Sequence, residues 1–399
     1  MSSHVYCGNF VHATDDKPMD VVTDYALGVK DGKILFFQPK DRLKELLKKY
    51  GLHSKHVQQM TEGQFMMPGL VDVHNNVMLY PLSGTSVALP YWDVVKSRCW
   101  PLETRYHDPK FAKKVFTKAV DRNVKNGITT ACYRSGIHAE AAIELWDIVD
   151  KVGQRAFIGK CNRDTIRGEV GYDAYMELTN ESLKATRQFL YDVKQKKSPL
   201  ITPIISPSAL TTVTPELMNG LYDSMRINEI SMQISLSLDE SDDDDAVRIH
   251  GRKYVGGGYN SSLLETIRNT VMASKALSFQ KSQDYESVTL EEAFMLATLG
   301  GSQVLGIDNK IGNFEPGKEL DALLIDVNTK HSVIDVFKEV DECPPTAEDT
   351  VCKFLLTGDD RNIVQVIVAG KAIIDKQSMY TPQELLQDIK HKLPTPLSK

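Results

Sequence analysis

Short apolar runs separated by polar turns open the chain, and this alternation predicts β-strands. Residues 5–12 and 25–29 are two such runs, and Asp31 with Gly32 is a strong hairpin-turn signal before residues 34–37. Residues 43–50 carry leucines among lysines at the spacing of a short amphipathic helix. The start of the chain therefore predicts a small sheet that precedes the main fold.

The central part of the chain alternates short apolar segments with longer amphipathic ones. The apolar segments, each of a length that suits one buried strand, are residues 68–74, 127–133, 153–160, 199–206 and 230–237. The amphipathic segments, each long enough for a helix, are residues 108–125, 139–152, 179–195 and 215–227. Strands that alternate with helices at this spacing predict βαβ units, a parallel sheet and an α/β fold.

The alternation stops after the fifth predicted strand. An acidic run at residues 239–245 is followed by a glycine turn at residues 256–258 and by two long helices, at residues 261–281 and 290–305. A (β/α)₈ barrel uses about thirty residues for each unit, and too few residues remain here for complete later units. We therefore expect an incomplete barrel of this type, with units six to eight shortened.

The tail of the chain returns to β-type alternation with glycine turns at residues 311–318, 322–326, 351–356 and 363–374. We expect these segments to be strands that pair with the N-terminal sheet. The chain then divides into three parts, which are a small β-sandwich domain (residues 1–67 and 312–380), a barrel domain (residues 68–311) and a C-terminal tail (residues 381–399).

Composition and charge limit the classes of function. The chain has 399 residues and a net charge of −6, so a broad phosphate-binding surface is not expected. No apolar stretch is long enough to cross a bilayer, and the first residues lack the pattern of a signal peptide. The six cysteines are scattered, without a Cys-x-x-Cys pair, which suits a reducing compartment. We therefore expect a cytoplasmic protein that binds neither nucleic acid nor membrane.

A histidine stands at the end of the first predicted barrel strand, in Pro68-Gly69-Leu70-Val71-Asp72-Val73-His74, and Asn76 follows it. Asp72, His74 and Asn76 would share one face of a strand. The segment resembles the first barrel strand of the amidohydrolase superfamily, Asp-x-His-x-His, whose two histidines bind a catalytic zinc. Taken alone, a single histidine at a strand end is more often a structural residue than a ligand.

Further segments extend the resemblance over nearly the whole chain and are similar to the guanine deaminase family within that superfamily. They are Trp100-Pro101-x-Glu103-x-Arg105 and residues 127–133, 153–160, 296–303, 311–319 and 358–363. The resemblance implies a barrel with a small β-sandwich, one zinc ion, hydrolysis of guanine to xanthine and ammonia, and a cytosolic homodimer. Zinc in such a site lowers the pKa of its bound water, which makes hydroxide available at neutral pH.

Matched position by position, the chain lacks most of the catalytic set that this resemblance implies. His74 is kept as a metal ligand, whereas Asn76, Ser235 and Tyr254 stand where the family has its other matched zinc ligands. Leu238 stands in place of the glutamate that transfers protons. Because three ligands are replaced, we expect zinc to be weakly bound or absent.

The residues that clamp the purine in the family are also mostly replaced. Leu79 stands in place of a glutamine, and Ser208 in place of an arginine. Arg105 is kept as a substrate-binding candidate. It either meets an anionic or carbonyl group of a ligand or pairs with a carboxylate such as Glu103.

Two classes of function follow. The first is a catalytically inactive guanine-deaminase-like protein of purine metabolism with a binding, dimerisation or regulatory role, as a homodimer or as a heterodimer with an active relative. The alternative is an active zinc-dependent guanine deaminase, or another amidine or cyclic amide hydrolase, with a site rearranged around His74, His138, His250 and residues 242–245. A shortened product of a longer reading frame would explain the missing units but not substitutions such as Asn76 and Ser235.

Overall fold

The computed structural model describes residues 3–85, 91–165, 175–208, 212–234, 261–280, 285–337 and 345–376. The strands are β1 (Ser3–His12), β2 (Asp20–Lys30), β3 (Lys33–Pro39), β4 (Val57–Gln59), β5 (Gln64–Pro68), β6 (Leu70–Asn75), β7 (Ile128–Arg134), β8 (Arg155–Gly159), β9 (Cys161–Asn162), β10 (Ile201–Pro203), β11 (Ser206–Pro207), β12 (Ala322–Asp326), β13 (Ile363–Val368) and β14 (Lys371–Asp375). The α-helices are α1 (Leu43–Tyr50), α2 (Tyr91–Val94), α3 (Trp100–Thr104), α4 (Pro109–Lys125), α5 (Ala139–Val152), α6 (Thr179–Lys196), α7 (Pro215–Asn228), α8 (Leu263–Ser278), α9 (Leu290–Ala297), α10 (Leu299–Val304) and α11 (Ala347–Thr357).

The two ends of the chain meet in one sheet of eight strands. Seven of them follow the order β14-β13-β12-β5-β1-β2-β3, and β4 also pairs with β1. Strand β12 runs antiparallel to β5, with Ala322 opposite Pro68, which confirms the predicted pairing of the tail with the N-terminal sheet. The predicted hairpin between β2 and β3 is also confirmed, because Asp31 (φ 51°) and Gly32 (φ 83°) take the left-handed conformations of a tight hairpin turn.

A second, parallel sheet holds the strands of the barrel region in the order β10-β8-β7-β6, and β9 and β11 form a short parallel pair after it. In the described part of the chain, the predicted fifth strand is reduced to a parallel bridge between Ile205 and Met232. Backbone hydrogen bonds hold this bridge, from Ile205 N–H to the Ser231 carbonyl (3.0 Å) and from Gln233 N–H to the Ile205 carbonyl (2.9 Å). The predicted fifth segment therefore pairs in parallel with the fourth, over a shorter length than expected. Residues 235–237 lie outside the described ranges.

The parallel sheet buries its two faces differently. Ala131 and Tyr133 of β7, with Ile158 of β8, pack into the main core against helices such as α4 and α5. Cys132 and Phe157 point to the other face, where they form a small cluster with Ile204. Because alternate residues of a strand share a face, Arg134 at the end of β7 lies on the side of Cys132.

Two of the four helices predicted between the strands, α4 and α7, begin at a residue whose side chain caps the helix. Asp108 accepts a hydrogen bond from the backbone N–H of Lys110 (2.9 Å) at the start of α4, and Thr214 accepts one from Leu217 (3.2 Å) at the start of α7. Helix α5 ends at Gly153, whose φ of 82° suits a left-handed C-terminal cap. The predicted helices of this region are confirmed within one or two residues.

Two predictions of secondary structure in the tail half are wrong. Residues 351–356 belong to helix α11 and are not a strand. Thr346 and Asp349 form a capping box at the start of α11, and Val351, Phe354 and Leu355 are buried at the i, i+3, i+4 spacing of a helix. The single helix expected at residues 290–305 is two helices, α9 and α10, because Thr298 (φ −125°, ψ −94°) breaks the backbone pattern.

The two sheets are joined by a buried ion pair. Arg155 of β8 donates to both carboxylate oxygens of Asp321, at 2.9 and 3.0 Å, and also to Glu319 at 2.7 Å. The division into a sandwich domain and a barrel domain stays a prediction, and the C-terminal tail at residues 381–399 lies outside the described residues. No helix in the described ranges is both long and apolar enough to span a bilayer.

Candidate functional site

The carboxyl ends of the parallel strands lie along one edge of their sheet, where α/β folds place their ligands. His74 and Asn75 lie at the end of β6 and Arg134 at the end of β7, whereas Arg163 and Ser208 directly follow the short strands β9 and β11. This edge is the candidate site.

His74 lies between two side-chain amides. The Nδ2 atom of Asn76 is 3.3 Å from His74 Nε2, and the Nε2 atom of Gln233 is 3.3 Å from His74 Nδ1. Gln233 Nε2 also donates to the backbone carbonyl of Val73 at 2.8 Å. The segment after the bridge at Met232 therefore holds its amide against the histidine.

These contacts favour one orientation of the imidazole ring. The bond to Val73 fixes the orientation of Gln233, so an amide N–H of Gln233 faces His74 Nδ1, and that nitrogen accepts it in the tautomer whose proton is on Nε2. In that tautomer, rotating the Asn76 amide by 180° turns its Oδ1 atom, which is buried and has no hydrogen-bond partner within the described residues, toward the Nε2 proton.

Asp72 stabilises the same strand end through two hydrogen bonds. Its carboxylate accepts a hydrogen bond from Asn75 Nδ2 at 2.7 Å and one from the backbone N–H of His74 at 3.1 Å. Burial raises the pKa of Asp72 to about 6, and these two hydrogen bonds act in the opposite direction. Asp72 therefore holds the backbone at the strand end.

The residues around His74 do not fit a catalytic zinc ion. Zinc prefers imidazole, thiolate and carboxylate ligands, whereas the neighbours here are two neutral amides, and Gln233 and Asn76 direct N–H groups or a weak amide oxygen toward the ring. Among the described residues, no three His, Cys, Asp or Glu side chains come together as a metal site.

Several residues singled out from the sequence lie outside the described ranges. They are Ser235, Leu238, Tyr254, His250 and the carboxylates of residues 242–245. His138 is described and stands at the start of α5, with its ring centroid 6.3 Å from that of His107. Burial lowers the pKa of His138. Its described neighbours give no support to a metal site shared with His74.

Arg105 is not at the centre of the site. Its side chain is exposed, and its guanidinium carbon lies 4.1 Å from the centre of the Phe111 ring. The expected pair of Arg105 with Glu103 does not form. Glu103 instead accepts from Arg163 at 3.2 Å. A substrate-binding role for Arg105 stays a prediction.

Sequence reasoning missed a buried cluster of charged residues at this edge. It contains Arg134, Lys160, Arg163, Glu103 and Glu177. Lys160 is fully buried and pairs with Glu177 at 2.6 Å, and burial lowers its pKa. The signal was available, because Arg134 and Arg163 follow apolar strands just as His74 does. Only the fold shows that they converge.

A sequence model of the amidohydrolase family matches residues 65–255 and 226–373. Human guanine deaminase is 34% identical to this chain, and the match covers 93% of the chain and 97% of the relative. Its aligned length of 445 residues exceeds the 399 of this chain, so the relative has segments without a counterpart here, in line with the shortened units.

Solved structures show the same fold. Guanine deaminase from C. acetobutylicum, with guanine bound in the active site, has a TM-score of 0.79 at 20% identity, over 94% of this chain and 100% of that one. An adenosine deaminase from Xanthomonas campestris with bound zinc has a TM-score of 0.70 at 16% identity, over 97% of each chain. The predicted amidohydrolase fold class is therefore confirmed.

Proposed function

Because the chain belongs to the amidohydrolase family, among the relatives of guanine deaminase, we propose that it is a guanine-deaminase-like protein of purine metabolism that binds its ligand without hydrolysing it. The observation that carries this proposal is the pair of amides on His74. Asn76 and Gln233 take up the positions beside its ring nitrogens, and neither is a good zinc ligand.

The chemistry of the family explains why this matters. In that family a bound zinc ion makes hydroxide available at neutral pH, because it lowers the pKa of its water to about 7. A proton-transferring side chain then contributes about 10² to 10⁴-fold to the rate. Leu238 stands where the resemblance places that glutamate, and a leucine transfers no proton. The residues that remain can bind and orient a ligand.

The proposal includes a cytoplasmic location and a homodimer, or a heterodimer with an active relative that the chain regulates. Its support is the resemblance to guanine deaminases over 93% of the chain. The fold also keeps its helix caps, its two sheets and the buried ion pair of Arg155. An intact fold is what a binding or regulatory protein requires.

A metal analysis coupled to a turnover assay tests the proposal. The full chain is purified, dialysed with and without zinc, and analysed for bound metal and for ammonia release from guanine, with human guanine deaminase as the positive control. We expect far less than one zinc ion per chain and no ammonia above the protein-free rate. Stoichiometric zinc together with guanine turnover would establish the alternative, an active hydrolase with a rearranged site.

A further inference from the structure

Two buried guanidinium groups converge at the carboxyl edge of the parallel sheet. Arg134 Nη2 donates to the backbone carbonyl of Ser208 at 2.7 Å, and Arg163 Nη2 donates to the Ser208 hydroxyl at 3.1 Å. Ser208 is the position where the family resemblance places a substrate-clamping arginine. Arg134 and Arg163 thus bring two guanidinium groups to Ser208, the position at which the family has an arginine and this chain has a serine.

The cluster is buried and carries more positive than negative charge. Arg134 is 6% exposed, Arg163 is 5% exposed and Glu103 is 3% exposed. An arginine does not lose its proton in a protein, so both guanidinium groups keep their charge at a cost in desolvation. With Lys160 and Glu177, the described residues of the cluster supply three cations and two carboxylates. An anion would be stabilised here.

Two atoms of the ion pair have unused hydrogen-bonding capacity. Arg163 Nε, a donor, and Glu103 Oε1, an acceptor, are buried and have no hydrogen-bond partner among the described residues. Leaving such groups unpaired costs free energy. A ligand with an acceptor oxygen next to an N–H group would satisfy both atoms at once.

An aromatic pair borders the cluster. The Arg163 guanidinium carbon lies 5.9 Å from the centre of the Trp100 ring, and Trp100 stacks on Tyr175 with centroids 5.6 Å apart. Arg163 also donates to the backbone carbonyl of Tyr175 at 3.3 Å. The donor and acceptor atoms therefore lie beside a flat apolar surface, which favours a planar ligand.

We propose that Arg134, Arg163 and Glu103 form a binding site for an anionic oxo-heterocycle, a planar ring in which a charged oxygen adjoins a ring N–H. The oxygen accepts from the arginines, and the ring N–H donates to Glu103 Oε1. Ionised dioxo- and trioxopurines have this chemistry. The inference rests on the proposed binding function and adds the class of ligand and the residues that hold it.

Isothermal titration of the full chain with xanthine and with urate tests the proposal. Benzoate serves as an anion without the N–H group, and the Arg122→Gln variant serves as a control that removes an arginine exposed at 46%, away from the site. We expect xanthine or urate to bind, more tightly as the pH rises and the ligand ionises. Benzoate should bind at least tenfold more weakly, and Arg122→Gln should bind as the parent does.

The variants must separate binding from folding. Arg163→Met alone leaves Glu103 buried without its partner, so the Glu103→Gln/Arg163→Met double variant removes both charges, and Arg134→Gln removes the second guanidinium. Each variant is used once its circular dichroism and melting match the parent. A Kd raised about tenfold or more in both supports the site, because each loses a charge-assisted hydrogen bond.

Three results would overturn the inference. They are no binding of either purine, binding unchanged in both variants, and equal binding of benzoate. None of these results depends on turnover. Zinc with guanine hydrolysis would refute the proposed function, whereas a failed titration would refute only this site.

Discussion

The buried pair of Arg155 and Asp321 allows a quantitative prediction about how the two sheets hold together. Arg155 reaches from β8 of the parallel sheet to Asp321, which directly precedes β12 of the eight-stranded sheet. The side chains are 8% and 1% exposed. Replacing Arg155 with methionine keeps most of the length of the side chain and removes its charge.

The expected cost follows from the carboxylate that remains. Asp321 would keep the hydrogen bond from the backbone N–H of Ala369 (2.7 Å), while its charge stays buried without the guanidinium of Arg155. Breaking a buried pair by removing one partner costs about 3–5 kcal/mol. Since domains are stable by about 5–15 kcal/mol, Arg155→Met should remove a large part of the stability.

Urea unfolding followed by tryptophan fluorescence and by circular dichroism measures this loss. Arg122→Met is the matched control, because Arg122 is 46% exposed in its 3.2 Å pair with Asp360, and a surface pair contributes about 1 kcal/mol or less. The Arg155→Met/Asp321→Leu double variant should recover much of the loss. The reasoning is refuted if Arg155→Met costs no more than the control.

Three further changes test other parts of the structure. Asn76→His places a second imidazole beside His74, yet we expect substoichiometric zinc and no guanine turnover, as checked by metal analysis and ammonia release. Thr346→Ala removes the hydroxyl that caps α11 and should lower the free energy of unfolding by about 1 kcal/mol, whereas the exposed Thr357→Ala should change it by less than about 0.5 kcal/mol in the same denaturation assay. Phe354→Ala leaves a cavity against Phe65 and should cost about 3–5 kcal/mol; a loss below about 1 kcal/mol would contradict the packing of α11.

Hydrophobic periodicity located most elements because their polar and apolar positions match one type of structure. Helices α1 and α5 and strand β12 have the predicted bounds. The segment that became α11 was misread because Val351 to Leu356 is apolar enough for a strand, and a short run does not distinguish the two periods. The capping box that starts at Thr346 is the local signal that indicates a helix.

The candidate site was only partly predictable. His74 is predictable because a polar residue ends an apolar strand. The sequence also shows that a second zinc ligand is missing, because Asn76 stands at the position of the family's second histidine. The contact of Arg163 with Glu103 joins residues that are 60 positions apart, and Gln233 reaches His74 across 159 positions. Such contacts depend on the order of strands in the sheet, which periodicity alone does not specify.

The buried arginines also explain why one restored ligand should not restore a metal site. A fixed positive charge raises the free energy of a divalent ion that is held near it, because like charges repel even at an effective dielectric constant of about 20. Arg134 and Arg163 lie at the same sheet edge as His74. A second imidazole at position 76 must therefore overcome a repulsion that a zinc site without these arginines does not have. If Asn76→His binds zinc weakly, removing Arg134 in the same chain should strengthen that binding, and an unchanged zinc affinity would show that the two sites do not interact.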